Sequence, residues 1–222
     1  MNTLIFATAH GFGEGVEKLG VIAVALLAAV VVLGRPPRVS ERRRALAMLA
    51  VLVLTPALLL ADIWHTSQLT HLRHHPAEAG AAVVLGVIVV FALAVLIRGE
   101  PRAFPLLAIF ALPFRLPIAA GGSTSNLLIP LYLVVGAGAL ACLIPRLRND
   151  FERTERTGPV LLEWLLLAAV MLYALQAAYS ADFSKALENM VFFYIPFALL
   201  FALLREVEWT RELLLQCLAV AV

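Results

Sequence analysis

The sequence predicts an all-α bundle of transmembrane helices, on the evidence of its composition and of the length of its apolar runs. Of 222 residues, 62% are hydrophobic and only 14% are charged, whereas soluble domains are about half apolar and a quarter charged. The apolar residues stand in unbroken runs and do not alternate with polar ones as in an amphipathic soluble fold. We therefore expect residues 1–222 to form a single membrane domain.

Seven apolar runs are long enough to cross a membrane. The uncharged part of each run has about 16 to 19 residues and covers roughly 24 to 29 Å at about 1.5 Å per residue, close to the ~30 Å hydrocarbon core of a bilayer once flanking residues are added. The predicted spans are residues 16–34, 45–64, 79–97, 103–120, 127–145, 160–181 and 187–204. An eighth apolar segment, 213–222, is too short to span alone. We expect this partial span to continue after Val222.

Several predicted spans contain proline. These residues are Pro56, Pro113, Pro117, Pro130 and Pro196. Each lacks the N–H that would complete a helical hydrogen bond, so neighbouring helices or water must satisfy the freed carbonyl. We expect kinks at these positions and the greatest disturbance in the fourth span.

The basic residues are divided unequally between alternate connections. Thirteen arginines lie in the connections at 35–44, 98–102, 146–156 and 205–211. The other connections contain only Lys18, Arg73 and Lys185. Because basic short loops remain in the cytoplasm, we expect an outside N-terminus in the cytoplasmic (inner) membrane, with residues 121–126 and 182–188 facing outward. Topology alone explains these arginines, and we predict no nucleic-acid partner.

Arg115 is a strong basic charge inside the predicted span 103–120. An arginine at mid-helix costs about 2.5 to 3.5 kcal/mol on insertion scales, less near an interface. Two interpretations remain open: a snorkelling or structurally paired arginine, and a binding site for a phosphate-bearing lipid. The segment after this span would add backbone and side-chain donors, so Ser123 and Asn126 join Arg115 as candidate substrate-binding residues.

The connection between the sixth and seventh spans contains two further candidates, Asp182 and Lys185. A carboxylate or hydroxyl at this point, from Asp182 or Ser184, could cap the following helix. Alternatively, Asp182 and Lys185 face a substrate.

No metal site or resident cofactor is predicted. His65, His71, His74 and His75 cluster in one outward loop, but their spacing matches no metal motif. We expect a solvated loop. The sequence also contains no P-loop or serine nucleophile elbow.

Four short segments carry a resemblance to a known family. They are Leu112–Pro117 (LPFRLP), Asn126–Leu133 (NLLIPLYL), Tyr179–Phe183 (YSADF) and Phe192–Phe197 (FFYIPF). From about residue 103 to 222 the chain resembles the N-terminal half of the O-antigen ligase/polymerase family. The resemblance implies a multispan glycosyltransferase that uses an undecaprenyl-pyrophosphate-linked glycan donor at the outer face of the membrane, with a glycan or lipid acceptor.

The same resemblance implies inverting, metal-independent transfer, with outward-facing arginines that hold the donor diphosphate. Arg115 matches that role. The family's catalytic residues and later spans would lie beyond Val222, so the 222-residue chain is expected to be inactive by itself.

Two other classes of function stay open. Kinked spans and a buried charge are also typical of secondary transporters, although no inverted repeat is visible. A noncatalytic scaffold of an envelope complex is the third class. Such a scaffold would tolerate Arg115→Ala and would not bind a lipid diphosphate.

Overall fold

The protein is a bundle of apolar helices in the computed structural model, which describes residues 2–34, 39–63, 76–114, 116–120, 123–148 and 160–221. The helices are α1 (Asn2–Leu33), α2 (Glu41–Ile63), α3 (Pro76–Gly99), α4 (Ala103–Ala111), α5 (Ile129–Leu147), α6 (Val160–Ala178), α7 (Phe183–Asn189), α8 (Ile195–Leu204) and α9 (Arg211–Ala221). A π-helical turn, Met190–Tyr194, joins α7 to α8. Two strands, β1 (Leu116–Ala120) and β2 (Ser123–Leu127), lie between α4 and α5.

Within the described residues, five helical segments are long and apolar enough to cross a membrane. They are Gly15–Leu33, Gly80–Gly99, Ile129–Leu147, Leu161–Ala178 and Phe183–Leu204. These segments correspond to the predicted first, third, fifth, sixth and seventh spans, with ends shifted by a few residues. The chain is thus a membrane protein by the length and composition of its helices. The predicted second span, 45–64, and the outside N-terminus remain predictions.

The predicted fourth span, residues 103–120, is wrong. Its helix, α4, ends at Ala111 and covers only about 14 Å. An antiparallel hairpin follows, in which Leu116 pairs with Leu127. Pro113 and Pro117 explain the change, because proline cannot donate a helical hydrogen bond. Leu116, the residue before Pro117, is extended in β1, as the steric effect of a following proline favours.

The first predicted span, 16–34, lies within a longer helix. The candidate span is Gly15–Leu33, whereas α1 itself begins at Asn2 and runs for 32 residues.

Helices α1 and α5 form the centre of the bundle. Helix α1 packs against α2, α6 and α8, whereas α5 packs against α2, α3, α4 and α8. Small buried side chains lie along both central helices, among them Ala25 and Ala28 of α1 and Ala137 and Ala139 of α5. In membranes, small residues allow neighbouring helix backbones to approach closely and gain van der Waals contact. This packing accounts for the position of α1 and α5 in the core.

Helix α3 lies at the edge of the bundle. It packs mainly on α5, and Val83, Ile88, Phe91 and Val95 are each at least 58% exposed. A helix with so much uncovered apolar surface fits a lipid environment and not water.

The π-helical turn lies beside Pro196. This proline cannot donate to the carbonyl of Phe192, four residues earlier in the chain. Instead, the hydroxyl of Tyr132 on α5 donates to the Phe192 carbonyl oxygen at 2.9 Å. The two rings also stack, with centroids 5.8 Å apart. The expectation that a neighbouring helix compensates for Pro196 is therefore confirmed.

Replacing Tyr132 by Phe should lower the free energy of unfolding by about 1 kcal/mol, since interhelical hydrogen bonds in membrane proteins contribute ~0.6 and up to ~1.7 kcal/mol. The variant keeps the ring stack and removes only the donor to Phe192. Thermal unfolding in detergent micelles measures the effect. Tyr179→Phe is the matched control, because Tyr179 is exposed, and it should leave the midpoint unchanged. Equal midpoints for the two variants would show that the hydrogen bond from Tyr132 to Phe192 does not stabilise the bundle.

Candidate functional site

The structure brings together two of the five predicted substrate-binding residues. Asp182 immediately precedes α7, and Lys185 lies in its first turn. Ser123 and Asn126 belong to β2, where their backbones pair with Ala120 and Pro117. Arg115 lies outside the described residues, as do the four loop histidines, His65, His71, His74 and His75.

Asp182 caps α7, as one of the two interpretations predicted. Its Oδ1 accepts a hydrogen bond from the backbone N–H of Lys185 at 3.1 Å. The hydroxyl of Ser180 supports this turn: it accepts from the Asp182 N–H at 3.2 Å and donates to the Asp182 carbonyl oxygen at 3.1 Å. The cap satisfies a backbone donor that the helix start leaves free.

Lys185 stays largely accessible. Its side chain is 60% exposed and forms an ion pair with Glu188, Nζ to Oε2 3.2 Å, one turn along the helix. Exposed pairs of this kind contribute at most about 1 kcal/mol. A stronger anionic ligand could therefore displace Glu188 from Lys185.

A polar cavity of about 150 Å³ lies between α6 and the start of α7. Its polar lining consists of Tyr173, Gln176, Ser180, Asp182, Lys185 and Asn189. The Asn189 Nδ2 donates to the Tyr173 hydroxyl at 3.0 Å. The Tyr173 ring in turn stacks on that of Tyr194, with centroids 4.0 Å apart. Drug-sized ligands occupy about 300 to 1,000 Å³, so this cavity has room for one group of a larger ligand.

Lys18 of α1 approaches the same region. Its Nζ lies 5.8 Å from the centroid of the Phe183 ring, the first residue of α7. From sequence, Lys18 served only as a topology marker, because nothing in the pattern linked it to residues so distant in the chain. Thus two of the three basic residues predicted outside, Lys18 and Lys185, lie near the start of α7.

The opposite end of the bundle contains a buried ionic cluster of Glu41, Arg44, Arg146 and Glu206. Arg44 Nη1 lies 2.7 Å from Glu206 Oε1, and Arg146 Nε lies 3.1 Å from Glu41 Oε2. Arg146 also pairs with the second oxygen of Glu206. Both arginine side chains are only 2% exposed. Within the described parts of the chain, the cluster thus pairs two arginines with two glutamates.

This ionic cluster joins helix ends. Arg44 and Glu41 stand in the first turn of α2, Arg146 in the last turn of α5, and Glu206 just after α8. The Arg44 Nε also donates to the Val31 carbonyl oxygen of α1 at 2.7 Å. Buried charges need partners of opposite sign, and here the partners fix four helices together. The cluster acts as a structural clamp.

A second buried ion pair lies at the same end, between Arg205 and Glu163. Glu163 is 1% exposed and stands in the first turn of α6. From sequence, Arg44, Arg146 and Arg205 served only as topology signals. Glu41 and Glu206 themselves stand in arginine-rich connections, and carboxylates among arginines at span ends are the signal that could have indicated ion pairs there.

Among the residues that the structure describes, no group of three or more His, Cys, Asp or Glu side chains could hold a metal ion. No protein-family model, curated protein or solved structure matches this chain.

Proposed function

We propose that the chain is the N-terminal part of an O-antigen ligase/polymerase-like membrane glycosyltransferase. The complete enzyme would transfer or polymerise an undecaprenyl-pyrophosphate-linked glycan at the outer face of the cytoplasmic membrane. The observation that carries this proposal is the polar cavity at the start of α7, which lies at the end of the bundle opposite the ionic cluster. The segment Phe183–Leu204 has 22 residues and separates the two ends by about 33 Å, roughly one bilayer thickness.

The lining of the polar cavity suits a glycan. Hydroxyl, carboxamide and carboxylate groups from Tyr173, Gln176, Asp182 and Asn189 can exchange hydrogen bonds with sugar hydroxyls. The cavity accepts one group of a larger molecule, and a glycan on a lipid carrier is such a molecule. The long isoprenoid tail would remain in the bilayer.

Lys185 and Arg115 suit the donor diphosphate. As the glycosidic bond to phosphate breaks, negative charge grows on the leaving group, and fixed cations stabilise that charge without a metal. Lys185 lines the polar cavity. The ion pair with Glu188 holds Lys185 only weakly, because the Lys185 side chain is exposed to water. Arg115 is proposed to add a bidentate contact of the kind that guanidinium makes with phosphate.

The hairpin of β1 and β2 is a further candidate for contact with the donor. Non-helical backbone within a membrane is tolerated where protein buries it or where it lines a water-filled cavity. Helix α5 runs from the hairpin to Arg146 in the ionic cluster, so the hairpin joins the end of α5 that is remote from the cluster. Ser123 and Asn126 belong to this hairpin, and we propose that they contribute donors to the phosphate groups.

The proposal is tested by binding of undecaprenyl pyrophosphate to the purified chain in nanodiscs. We expect saturable binding that is weakened roughly tenfold by Lys185→Ala and by Arg115→Ala, since each removes a charge-assisted contact. Glu188→Gln is the matched variant with the opposite expected effect, because it removes the carboxylate that competes for Lys185. This variant should bind undecaprenyl pyrophosphate as tightly as the original chain or more tightly. In the intact protein, Arg115→Ala should reduce glycan transfer.

Other outcomes separate the competing classes. A noncatalytic scaffold would not bind the lipid diphosphate and would tolerate Arg115→Ala in the cell. A secondary transporter would move a solute across proteoliposome membranes and would not discriminate undecaprenyl pyrophosphate from the monophosphate. Either result would refute the glycosyltransferase proposal.

A further inference from the structure

A larger cavity, of about 430 Å³, opens at the end of the bundle that contains the ionic cluster. Its walls come from the connection between α3 and α4, from one face of α5, and from the segment that follows α8. The volume falls within the ~300 to 1,000 Å³ typical of small-molecule sites. This headgroup cavity, as we call it, has no residue in common with the polar cavity of the proposed function.

Charged side chains line the mouth of the headgroup cavity. They are Glu100, Arg102 and Glu208, all exposed. Within the described part of the chain, none of these three side chains forms an ion pair or a hydrogen bond. Glu206, in contrast, also lines the cavity but is occupied by the arginines of the ionic cluster. The mouth thus offers one guanidinium and two carboxylates to a ligand.

The inner wall of the same cavity is apolar. It includes Ile97 of α3, Phe104 of α4, Leu203 of α8 and Val207. Ile97, Phe104 and Leu203 are themselves buried. An occupant must therefore combine an apolar part with a part that carries both signs of charge.

The position of the cavity narrows the choice of occupant. Two candidate membrane spans end at Gly99 and Leu204. Ile97 and Leu203 lie just inside these ends, whereas the charged residues lie just outside them. The boundary between apolar wall and charged mouth coincides with the level where acyl chains meet headgroups in a bilayer.

We propose that the headgroup cavity binds a zwitterionic phospholipid with a primary amine, of the phosphatidylethanolamine type. Arg102 contacts the lipid phosphate, Glu100 and Glu208 accept hydrogen bonds from the ammonium, and the first methylene groups of the acyl chains lie against Ile97 and Val207. A primary ammonium donates charge-assisted hydrogen bonds to carboxylates. A quaternary ammonium has no N–H to donate, and an anionic headgroup is repelled by Glu100 and Glu208.

Titration of the delipidated chain in detergent with short-chain lipids tests the proposal. The probes are dihexanoyl phosphatidylethanolamine, the corresponding phosphatidylcholine and phosphatidylglycerol, free phosphoethanolamine and inorganic phosphate. We expect the ethanolamine lipid to bind saturably and about tenfold more tightly than the choline and glycerol lipids. Free phosphoethanolamine should bind more weakly than the lipid, because it lacks the apolar part.

Variants of the mouth residues give the decisive comparison. Arg102→Ala should weaken binding of the ethanolamine lipid about tenfold, and the double variant Glu100→Gln, Glu208→Gln should abolish its preference over the choline lipid. Arg98→Ala and Glu212→Gln are matched controls, since both residues are exposed near the same ends but do not line the cavity. All five altered positions, three in the mouth and two controls, are exposed, so the unfolding midpoints without ligand should be unchanged.

Three results would overturn the proposal. They are equal affinity for all three lipids, binding of inorganic phosphate as tight as that of the ethanolamine lipid, and an Arg102→Ala variant that binds like the original chain. The second result would identify a phosphate site without a role for the lipid. Binding of undecaprenyl pyrophosphate depends on other residues. The lipid proposal can therefore fail while the proposed function holds, and the proposed function can fail while the lipid proposal holds.

Discussion

Replacing Arg146 by Gln should lower the free energy of unfolding by about 3 to 5 kcal/mol, the usual cost of removing one partner from a buried ion pair. Arg146 contacts both carboxylates of the ionic cluster, Glu41 and Glu206. Without it, Glu41 and Glu206, whose side chains are 21% and 16% exposed, would each lose a contact with a buried guanidinium in a region of low dielectric constant. Unfolding of the detergent-solubilised chain, followed by circular dichroism, measures the loss.

A nearby arginine provides the control for this prediction. Arg148 lies two residues further along and is exposed, so Arg148→Gln should change stability by less than about 0.5 kcal/mol. The double variant Arg146→Leu, Glu41→Leu removes a whole pair and leaves Arg44 facing Glu206 at 2.7 Å. It should be more stable than Arg146→Leu alone. Equal losses for Arg146→Gln and Arg148→Gln would show that the cluster does not hold the helix ends together.

The ionic cluster also shows what a count of basic residues omits. Arg146 and Arg148 have the same weight in a topology prediction, because that prediction depends only on which side of the membrane a loop occupies. Their environments are opposite: Arg146 is buried among carboxylates, and Arg148 is exposed. The partners come from Glu41 and Glu206, which are distant in sequence, and only the packing of α2, α5 and α8 brings them together.

The apolar runs predicted most of the helices because a spanning helix must satisfy its own backbone. Residues 79–97 are uninterrupted by proline, and α3 covers all of them. Residues 103–120 are also mainly apolar but contain Arg115 as well as Pro113 and Pro117, and the helix stops at Ala111. Hydropathy describes how readily side chains transfer from water into an apolar medium. Whether the backbone then forms a helix or a hairpin depends on which backbone N–H donors are present.

The candidate site was predictable in part. A carboxylate before a new helix is a local signal, and Asp182 caps α7 as that signal indicates. The cavity beside it depends on Tyr173 and Asn189, whose hydrogen bond joins α6 to α7. No sequence pattern links these two residues, since both look like ordinary polar positions within apolar spans. The role of Arg115 remains a prediction.

Replacing Gly138 by Ala should destabilise the bundle by about 2 kcal/mol, within the ~1 to 3 kcal/mol range for overpacking a close-packed interior. A Cβ at Gly138 would lie 2.5 Å from Phe104 Cε2 and 3.2 Å from Leu203 Cδ1. Phe104 is only 3% exposed, so its ring cannot move without disturbing the contact between α4 and α5. Thermal unfolding in detergent measures the loss.

Gly136 gives a matched comparison in the same helix, because a Cβ there would find only Val90 Cγ1, at 4.0 Å. Gly136→Ala should gain about 0.5 to 1 kcal/mol from reduced backbone freedom, so the two variants should differ by roughly 3 kcal/mol. Phe104 also lines the headgroup cavity, which provides nearby space for a displaced ring. If Gly138→Ala proves as stable as Gly136→Ala, the ring has moved into that space, and the variant should then lose binding of the ethanolamine lipid. If both stability and lipid binding are unchanged, α4 does not pack on α5 through Phe104.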